Sequence, residues 1–491
     1  MIFKRFYLVL SLFLITTVHC YSQSDPPYST LQRVIPATPE AMSLGQVGFS
    51  DINLYTGKAN YSLPIYTVTQ NGISFPITLS YTGGGGVKVE EVGSSVGLGW
   101  NLSSSGGVSR VIRGVADDTY ASGVYVGYMH LPDFPPVDNE HYTDYKKYAE
   151  SKYDGQPDLF SVSVAGVSAQ FYINKNKKVV FVEKSDLKVT PTITEYAITA
   201  FTVKDMNGRT YYFNEQEKSK SEPVDNTYAE YEEFNTSSWY LTKITSEYGK
   251  DIITFTYQSG ENNQIKQELR SPYQYRTDMG SGTFSEDASS FSQLTYKRPV
   301  LQKISFASGE VNFNMSDSMR YDMAQDEYVK SVVVKNYLGD TIKHFNFYHS
   351  YFSTTGVIQQ GQGTHYTYGN SALRLKLDSL QEASRTNQKL TYKFLYDTTH
   401  YLPDRMTTFA MDHWGYYNGE SGNTTWEANN RIKYYFLSGD SALAENGSAN
   451  REPNLAYTKA GVLTKVITPT KGEIHFDYEL NSSTDSRLPN S

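Results

Sequence analysis

Cysteine is nearly absent from this chain of 491 residues, and the one cysteine, Cys20, lies close to the amino terminus. No intramolecular disulfide is available, so packing must supply the stability of the fold. The sequence also lacks an excess of positive charge, because its formal net charge is −8. Proteins that bind nucleic acids usually carry a basic patch, so this charge balance argues against DNA or RNA as a partner.

Long apolar runs are missing beyond residue 22. Residues 1–22 contain Lys4 and Arg5, then an apolar core, and end at the small residue Ser22. This is the pattern of a secretory signal peptide cleaved after Ser22, and its apolar core is too short for a permanent membrane span. Cleavage removes two positive charges and leaves a net charge of −10. We therefore expect a mature protein that is secreted or held at the outer surface of the cell envelope.

A lipid anchor at Cys20 is the competing interpretation of the same segment. The residue before it, His19, is bulky where lipoprotein signals require a small residue. Free secretion is therefore favoured over lipidation.

Signatures of catalysis and metal binding are missing as well. None of the eight histidines beyond residue 22 falls in a His-Glu-x-x-His pairing. Residues 93–97 match the G-x-S-x-G pattern of a hydrolase, with Ser95 as nucleophile, but that motif must lead into a helix. The glycines and serines that follow disfavour a helix. The sequence predicts no enzyme, no cofactor and no metal site.

Aromatic residues are abundant, with 42 tyrosines and 24 phenylalanines against four tryptophans. Aromatic side chains favour the half-buried surface of a β-strand. Most of them stand at alternating positions, so we interpret them as the packing face of an extensive sheet. Stacking of these rings on a glycan is the alternative interpretation.

The stretch from Thr78 to Gly114 is the organising segment of the chain. Its alternating apolar residues are interrupted by glycines, four of them consecutive from Gly83 to Gly86. Alternation broken by glycine is typical of short strands joined by turns and bulges. We predict a β-meander in which Trp100 anchors a core.

Three runs in and near this stretch resemble a known family. They are Val-Gly-Leu-Gly-Trp at 96–100, Gly-Gly-Val-Ser-Arg at 106–110 and Pro-Asp-Leu-Phe at 157–160. Together they resemble the amino-terminal segment of secreted YD-repeat (Rhs-type) proteins of Gram-negative bacteria. A looser version opens the β-shell of the B component of insecticidal toxin complexes. Further matching runs are Ser-Leu-Gly at 43–45, Leu-Tyr-Thr-Gly at 54–57, Asp-His-Trp-Gly-Tyr-Tyr-Asn-Gly at 412–419 and Leu-Thr-Lys at 463–465.

The resemblance implies a β-shell scaffold that shields or delivers a polypeptide passenger in full-length relatives. The residues that it marks as structural are Gly97, Gly99, Trp100, Arg110, Asp158 and Phe160. The chain departs from the family because only fragments of the regular Tyr-Asp and Gly-Arg repeats are present, such as 205–209, 321–322 and 396–397, with no self-cleaving core or passenger. It therefore resembles an amino-terminal portion or a truncated relative, whose partner is a passenger or a downstream part of the same chain.

The predicted organisation has six parts. They are a signal peptide (1–22), an extended lead-in (23–41), a glycine-rich meander (42–115), a polar surface insertion with at most one short helix (116–155), a region of β-hairpins (156–480) and a polar tail (481–491). The fold class is all-β: a long antiparallel meander of hairpins that curls into an open shell or barrel-like wall, with few short helices.

Individual strands are predicted from the alternation. Early strands are expected at 52–54, 61–67, 73–81, 87–92 and 108–115. Two hairpins are expected at 159–173, around Gly166, and at 201–213, with Asn207 and Gly208 as the turn. The acidic, polar run 215–233 is interpreted as a loop.

From residue 240 onward a hairpin pattern recurs five times. The pairs of predicted strands are 240–244 with 253–257, 301–304 with 311–315, 332–334 with 342–348, 375–380 with 390–396, and 463–466 with 474–478. Each second strand has apolar or aromatic residues at every other position. A lone hairpin is marginally stable in water, so the copies must pair edge to edge.

One cluster qualifies as a binding candidate: Asp412, His413, Trp414 and Tyr416. A carboxylate, an imidazole and aromatic rings could serve acid–base chemistry or ligand stacking. Neighbours on a strand point apart, so Asp412 is not expected to orient His413 as in a catalytic triad. The favoured interpretation is a packed loop in which Trp414 and Tyr416 plug the shell.

The expected function is therefore that of a secreted, non-enzymatic β-shell scaffold that encloses or presents a polypeptide. The alternative is an adhesion or glycan-binding module of the cell envelope that uses exposed aromatic side chains. The sequence does not specify the passenger, the glycan or the oligomeric state.

Overall fold

The computed structural model of the chain is mostly β-structure. It describes residues 34–35, 60–83, 85–121, 125–131, 142–150, 152–223, 233–262, 264–273, 288–364, 366–367, 369–383, 389–428, 430–435 and 441–480. Within these residues lie 28 strands, two short α-helices and two 3-10 helices. The predicted signal peptide, the strand at 52–54 and the tail lie outside the described residues, as does most of the lead-in.

The strands of the first half are β1 (Val34–Ile35), β2 (Tyr61–Gln70), β3 (Ile73–Tyr81), β4 (Trp100–Ser103), β5 (Gly107–Arg113), β6 (Tyr120–Ala121), β7 (Tyr125–Val126), β8 (Leu159–Val164), β9 (Val167–Ile173), β10 (Val179–Phe181), β11 (Lys188–Thr194), β12 (Ala197–Lys204), β13 (Thr210–Pro223) and β14 (Asn235–Thr245).

The strands of the second half are β15 (Ile252–Gln258), β16 (Gln264–Tyr273), β17 (Ala288–Lys297), β18 (Val300–Phe306), β19 (Gly309–Met315), β20 (Val329–Asn336), β21 (Thr341–Ser353), β22 (Gly356–Gln359), β23 (Leu373–Ala383), β24 (Lys389–Tyr396), β25 (Asn430–Tyr435), β26 (Ser441–Asn446), β27 (Leu463–Ile467) and β28 (Glu473–His475). The helices are α1 (Tyr142–Ala149) and α2 (Leu455–Thr458), and the 3-10 helices are Tyr128–His130 and Gly260–Asn262.

Twenty-one strands belong to one large antiparallel sheet. One long path of paired strands through it, which we call the wall, is β11-β12-β13-β14-β15-β18-β19-β20-β21-β23-β24-β27-β28. The all-β prediction, with a long series of antiparallel hairpins forming an open wall and few short helices, is confirmed.

The sheet divides at the hairpin β13–β14. Along one edge of β14, residues 243–245 pair with β15 while residues 238–240 pair with β5. Strands β8, β9 and β10 continue from β5 as a side arm. The far half of β13 pairs with β17, which in turn pairs with β16. Because two partners share each edge, the sheet branches at this hairpin.

All five recurring hairpins are present, as β14–β15, β18–β19, β20–β21, β23–β24 and β27–β28. Successive copies pair edge to edge through β15–β18, β19–β20, β21–β23 and β24–β27. The hairpin at the turn Asn207–Gly208 is β12–β13, and Gly208 takes a positive φ of 75° there. Edge-to-edge pairing covers the strand edges that a lone hairpin would expose.

A separate sheet, β2-β3-β4, packs on the inner face of the wall. The rings of Phe75 in β3 and Phe255 in β15 lie 5.1 Å apart in an edge-to-face arrangement. The ring centroids of Tyr66 in β2 and Phe306 in β18 are 6.3 Å apart. Residues from both sheets form one continuous hydrophobic core. The interior of the wall is therefore filled by a segment of the same chain.

Two predicted elements are wrong. Residues 87–92 form no strand: Val87 and Val89 are buried, but Lys88 makes only an isolated bridge, to Tyr416. The predicted loop 215–233 begins as a strand, since β13 runs on to Pro223. Its polar residues are held between β14 and β17, and Glu217 accepts a hydrogen bond from the Tyr240 hydroxyl at 2.8 Å.

The segment 116–155 contributes both surface and interior. The short helix α1 has no buried residue, whereas Asp117, Val126 and Met129 are buried. Across the described residues, none of the helices is long and apolar enough to cross a membrane.

Removing the Phe75 ring tests whether β2–β4 is an integral layer. Phe75 is fully buried against Phe255, so Phe75→Ala is expected to destabilise the fold by about 3–5 kcal/mol. The measurement is the midpoint of urea unfolding, monitored by circular dichroism. Tyr248→Ala, at a ring that is 80% exposed, is the control and should leave the midpoint nearly unchanged. Equal midpoints for the two variants would contradict the packing described.

Candidate functional site

The inner face of the wall is organised around Trp100, at the start of β4. Its ring lies 4.3 Å from Phe394 and 5.3 Å from Tyr81, measured between centroids. Its Nε1–H donates to the Tyr396 hydroxyl at 2.8 Å, and that hydroxyl donates to the Leu377 carbonyl at 2.6 Å. The indole thus joins the small sheet to β23 and β24, and its predicted burial is confirmed.

Two glycines let the chain approach the wall before Trp100. Gly97 and Gly99 have φ values of +120° and +73°, which side chains rarely adopt. A Cβ on Gly97 would lie 2.9 Å from the Leu377 amide nitrogen, and one on Gly99 would lie 2.6 Å from the Tyr81 ring. Close approach as well as conformation therefore requires glycine at both positions.

Residues 85–99, which we call the strap, cross the interior without regular secondary structure. Main-chain hydrogen bonds hold it at separate points. The Leu98 N–H donates to the Leu375 carbonyl at 2.7 Å, and the Val89 N–H donates to the Gly415 carbonyl at 2.9 Å. In the other direction, the Ser95 carbonyl accepts from Val329 at 2.9 Å. The strap therefore connects three separate parts of the chain.

Arg320 is the centre of the site. Its side chain is fully buried, and each of its five N–H groups has an acceptor. Two donate to the carboxylate of Asp322, at 3.0 and 2.8 Å, and one donates to Asp326 at 2.9 Å. The remaining two donate to the strap carbonyls of Gly93, at 2.8 Å, and Ser94, at 3.1 Å.

The charge of Arg320 is balanced inside the same cluster. Burial by itself raises the pKa of Asp322, but Arg320 and the Leu375 amide outweigh burial and hold that pKa below its ordinary value. Asp326 also accepts from Arg298 at 2.6 Å. Two buried guanidinium groups therefore face two buried carboxylates, which satisfies the charges without solvent.

Arg374 provides a second contact to the strap. Its guanidinium donates to the Val89 carbonyl at 2.6 Å and to the Pro403 carbonyl at 2.9 Å. Burial and the neighbouring Arg405 lower the pKa of Arg374 to about 9. We refer to Arg320 and Arg374 together as the arginine clamps, because both bind main-chain carbonyls of the strap.

A second ionic cluster brings together three of the predicted motif residues. Arg110 in β5 donates to Asp158 at 2.7 Å and to Asp118 at 2.7 Å, and its guanidinium lies 5.5 Å from the Phe160 ring centroid. The Asp158 carboxylate also accepts from the amides of Arg113 and Asp117, at 2.8 and 2.9 Å. These residues fix the loop after β5 against the start of β8.

Asp117 carries the unusual protonation in this cluster. Burial and the neighbouring Asp158 carboxylate raise the pKa of Asp117 to about 9, against the opposing effect of Arg110. Burial raises the pKa of Asp158 as well, but Arg110 donates directly to that carboxylate. The direct bond from Arg110 therefore favours the ionised form of Asp158, whereas burial beside that carboxylate favours the protonated form of Asp117.

The candidate loop at 412–416 is a tight turn. The buried Asp412 carboxylate accepts from the amides of Trp414, at 2.8 Å, and Tyr416, at 2.9 Å. Gly415 completes the turn with a φ of +89°. His413 is exposed, Tyr416 is half-buried, and Trp414 is 65% exposed. The interpretation of Trp414 as a plug is wrong, because Asp412 uses its carboxylate to close the turn and directs the indole outward.

The G-x-S-x-G run has no helix after it. Ser94 and Gly97 form an isolated bridge in a turn, and the next element is the strand β4. The Ser94 hydroxyl donates to the Trp100 carbonyl at 2.6 Å. Among the described residues, no group of three or more histidine, aspartate or glutamate side chains is arranged to hold a metal ion.

Sequence reasoning missed the arginine clamps and their acids. Arg320 and Asp322 are only two positions apart, and that spacing is the one local signal for their pairing. The carbonyls of Gly93 and Ser94 that complete the site lie more than 220 positions away along the chain. No pattern in the sequence connects the two segments.

No protein-family model and no curated protein matches this chain. The resemblance of the motif runs to YD-repeat proteins therefore stays a prediction.

Truncation of a clamp tests its energetic role. Arg320→Ala would leave Asp322 and the strap carbonyls buried without their donor, so we expect a loss of about 3–5 kcal/mol in the free energy of unfolding. The measurement is chemical denaturation. Lys330→Ala is the control, because Lys330 pairs with Asp317 on the exposed surface, and it should hardly move the midpoint. A similar small effect for both variants would refute the role of the clamp.

The raised pKa of Asp117 predicts a dependence of stability on pH. Between pH 4 and about 9 the folded state retains a proton that the unfolded state has lost, so stability falls as the pH rises through this window. Asp117→Asn cannot ionise, so its melting temperature should fall less than that of the wild type between pH 5 and pH 9. Asp317→Asn is the control: the pKa of this exposed group is lowered, so its titration lies below the window. Parallel curves for wild type and Asp117→Asn would disprove the assignment.

Proposed function

We propose that this chain is a secreted, non-enzymatic β-scaffold of the YD-repeat type that encloses or presents a polypeptide passenger. The observation that carries the proposal is the occupied inner face of the wall. Its occupants, β2–β4 and the strap, are polypeptide, and the strap is held through its main chain.

Recognition through the main chain suits a scaffold. The arginine clamps contact the carbonyls of Val89, Gly93 and Ser94, and every polypeptide offers the same group. A face that satisfies buried carbonyls of its own chain has the chemistry to satisfy those of another segment. This supports a polypeptide, rather than a small molecule, as the natural occupant.

The edge of the wall at β28 offers a place for extension. Phe476 N–H donates to Thr464 and Thr468 N–H donates to Gly472, so the main-chain groups of Glu473 and His475 point away from β27. Among the described residues, no strand pairs with that outer edge of β28. A strand of a passenger or of a continuing chain could add there.

An open groove of about 230 Å³ lies beside this edge. It is lined by Asp397, Lys459, Thr464, Lys465, His475, Phe476, Asp477 and Tyr478. Both charged and aromatic side chains are therefore available to contact the side chains of an added strand.

Protection of an attached passenger tests the proposal. An unstructured lysine-rich polypeptide is appended after Ser491, and its cleavage by trypsin is followed by gel electrophoresis. His475→Pro removes the outward N–H while β27 keeps its bonds to residues 474 and 476, so we expect faster cleavage than in the parent fusion. His475→Thr retains the N–H and is the matched control.

The expected order is slow cleavage for the parent and His475→Thr, and fast cleavage for His475→Pro. Equal cleavage rates in all three fusions would overturn the proposal that this edge receives a polypeptide.

A further inference from the structure

Trp414 is set apart from the other tryptophans of this chain by its exposure. Trp100, Trp239 and Trp426 are buried in the interior, at 2%, 0% and 7% exposure, whereas Trp414 is 65% exposed. Within residues 402–428 it is also the only large apolar side chain that is exposed. Of the large side chains near it in sequence, Met411 is buried and Tyr416 and Tyr417 are half-buried, so the exposed apolar surface here is a single ring.

The main chain that carries Trp414 is rigidly held. Asp412 accepts from the amides at 414 and 416, and its own N–H donates to the Tyr416 carbonyl at 2.8 Å. Arg451 donates twice to the Asp412 carbonyl, at 3.2 and 2.5 Å. The Gly415 carbonyl accepts a hydrogen bond from the Val89 N–H of the strap. The turn is therefore fixed on both sides before any ligand arrives, which lowers the entropic cost of binding.

His413 gives the exposed indole a polar neighbour. The two rings are 6.2 Å apart between centroids and stand at 89° to each other. The indole offers a flat apolar face, and the exposed imidazole offers a hydrogen-bonding group beside it. A ligand that fits this pair has a flat C–H face and hydroxyl groups at its rim.

We propose that Trp414 and His413 form a binding site for the pyranose rings of a glycan, with Asp412 as the positioning residue. The C–H face of the sugar stacks on the indole, and a sugar hydroxyl bonds the imidazole. The Asp412 carboxylate is buried and engaged by two amides, so it holds the turn and does not touch the sugar. The site therefore binds its ligand without cleaving it.

This inference is independent of the passenger proposal, since Asp412, His413 and Trp414 neither belong to β28 nor line the groove beside it. Loss of one activity leaves the other measurable, because the trypsin assay uses no sugar and the sugar assay uses no passenger.

The test is a titration of the full chain with soluble oligosaccharides of glucose, galactose, mannose and N-acetylglucosamine. Binding is followed by tryptophan fluorescence. Three of the four indoles are buried, so a sugar that stacks on an indole changes the emission of Trp414. We expect saturable binding of at least one of these probes. The same probe is then measured by calorimetry with Trp414→Ala, which should weaken binding by about 10-fold or more at an unchanged melting temperature.

Two further comparisons separate stacking from positioning. Asp412→Ala should weaken binding although the indole remains, and Asp412→Asn should restore it because an amide oxygen still accepts from the turn. Tyr337→Ala, at a ring that is 75% exposed elsewhere on the wall, is the control for a non-specific aromatic effect.

Failure of the wild type to bind any of the four sugars at about 10 mM, or equal binding by Trp414→Ala and the wild type, would overturn the proposal. If Tyr337→Ala lost affinity as Trp414→Ala does, the binding would be non-specific and the assignment would also fail.

Discussion

The need to satisfy buried main-chain carbonyls governs the interior of this protein. Strands of the wall bond to one another, but the strap crosses the interior with few regular partners, and each unsatisfied buried carbonyl would cost about 1–3 kcal/mol. Arginine can satisfy several carbonyls at once, because its planar guanidinium group presents five N–H donors at fixed angles. Arg320 and Arg374 bind the strap carbonyls directly. Without such donors, the wall could not enclose an irregular segment.

The buried guanidinium groups of Arg320 and Arg110 are each paired with carboxylates, and these pairs form the two ionic clusters. Asp322 and Asp326 balance Arg320, and in the other cluster Asp158 and Asp118 balance Arg110. Buried pairs of this kind add little net stability, since desolvation offsets the attraction. Their effect is to select one arrangement, because a shifted loop would leave a charge buried and unpaired.

Two tryptophans of this chain have opposite surroundings. Trp100 is enclosed by aromatic residues: its ring packs against Tyr81 and Phe394, and its N–H donates to the Tyr396 hydroxyl. Trp414 lies on a turn that the Asp412 carboxylate closes through main-chain amides, and its ring is exposed to solvent. The inner face is occupied by the chain itself, so both of our proposals for contacts with other molecules lie outside it, at the β28 edge and at the turn 412–416.

The sequence by itself determined the hairpins and their turns. Period-2 alternation and residues such as Gly208 act over a few positions, so β12–β13 and the five recurring hairpins were predictable, as was the burial of Trp100. Tertiary structure alone decided that β13 continues through a polar run, that the strap is not a strand, and that Arg320 meets Gly93 and Ser94. These outcomes depend on contacts between segments more than 220 residues apart or on neighbouring strands that the local pattern does not encode. The outward position of Trp414 follows for the same reason, since the bonds from Arg451 and Val89 that fix its turn come from distant parts of the chain.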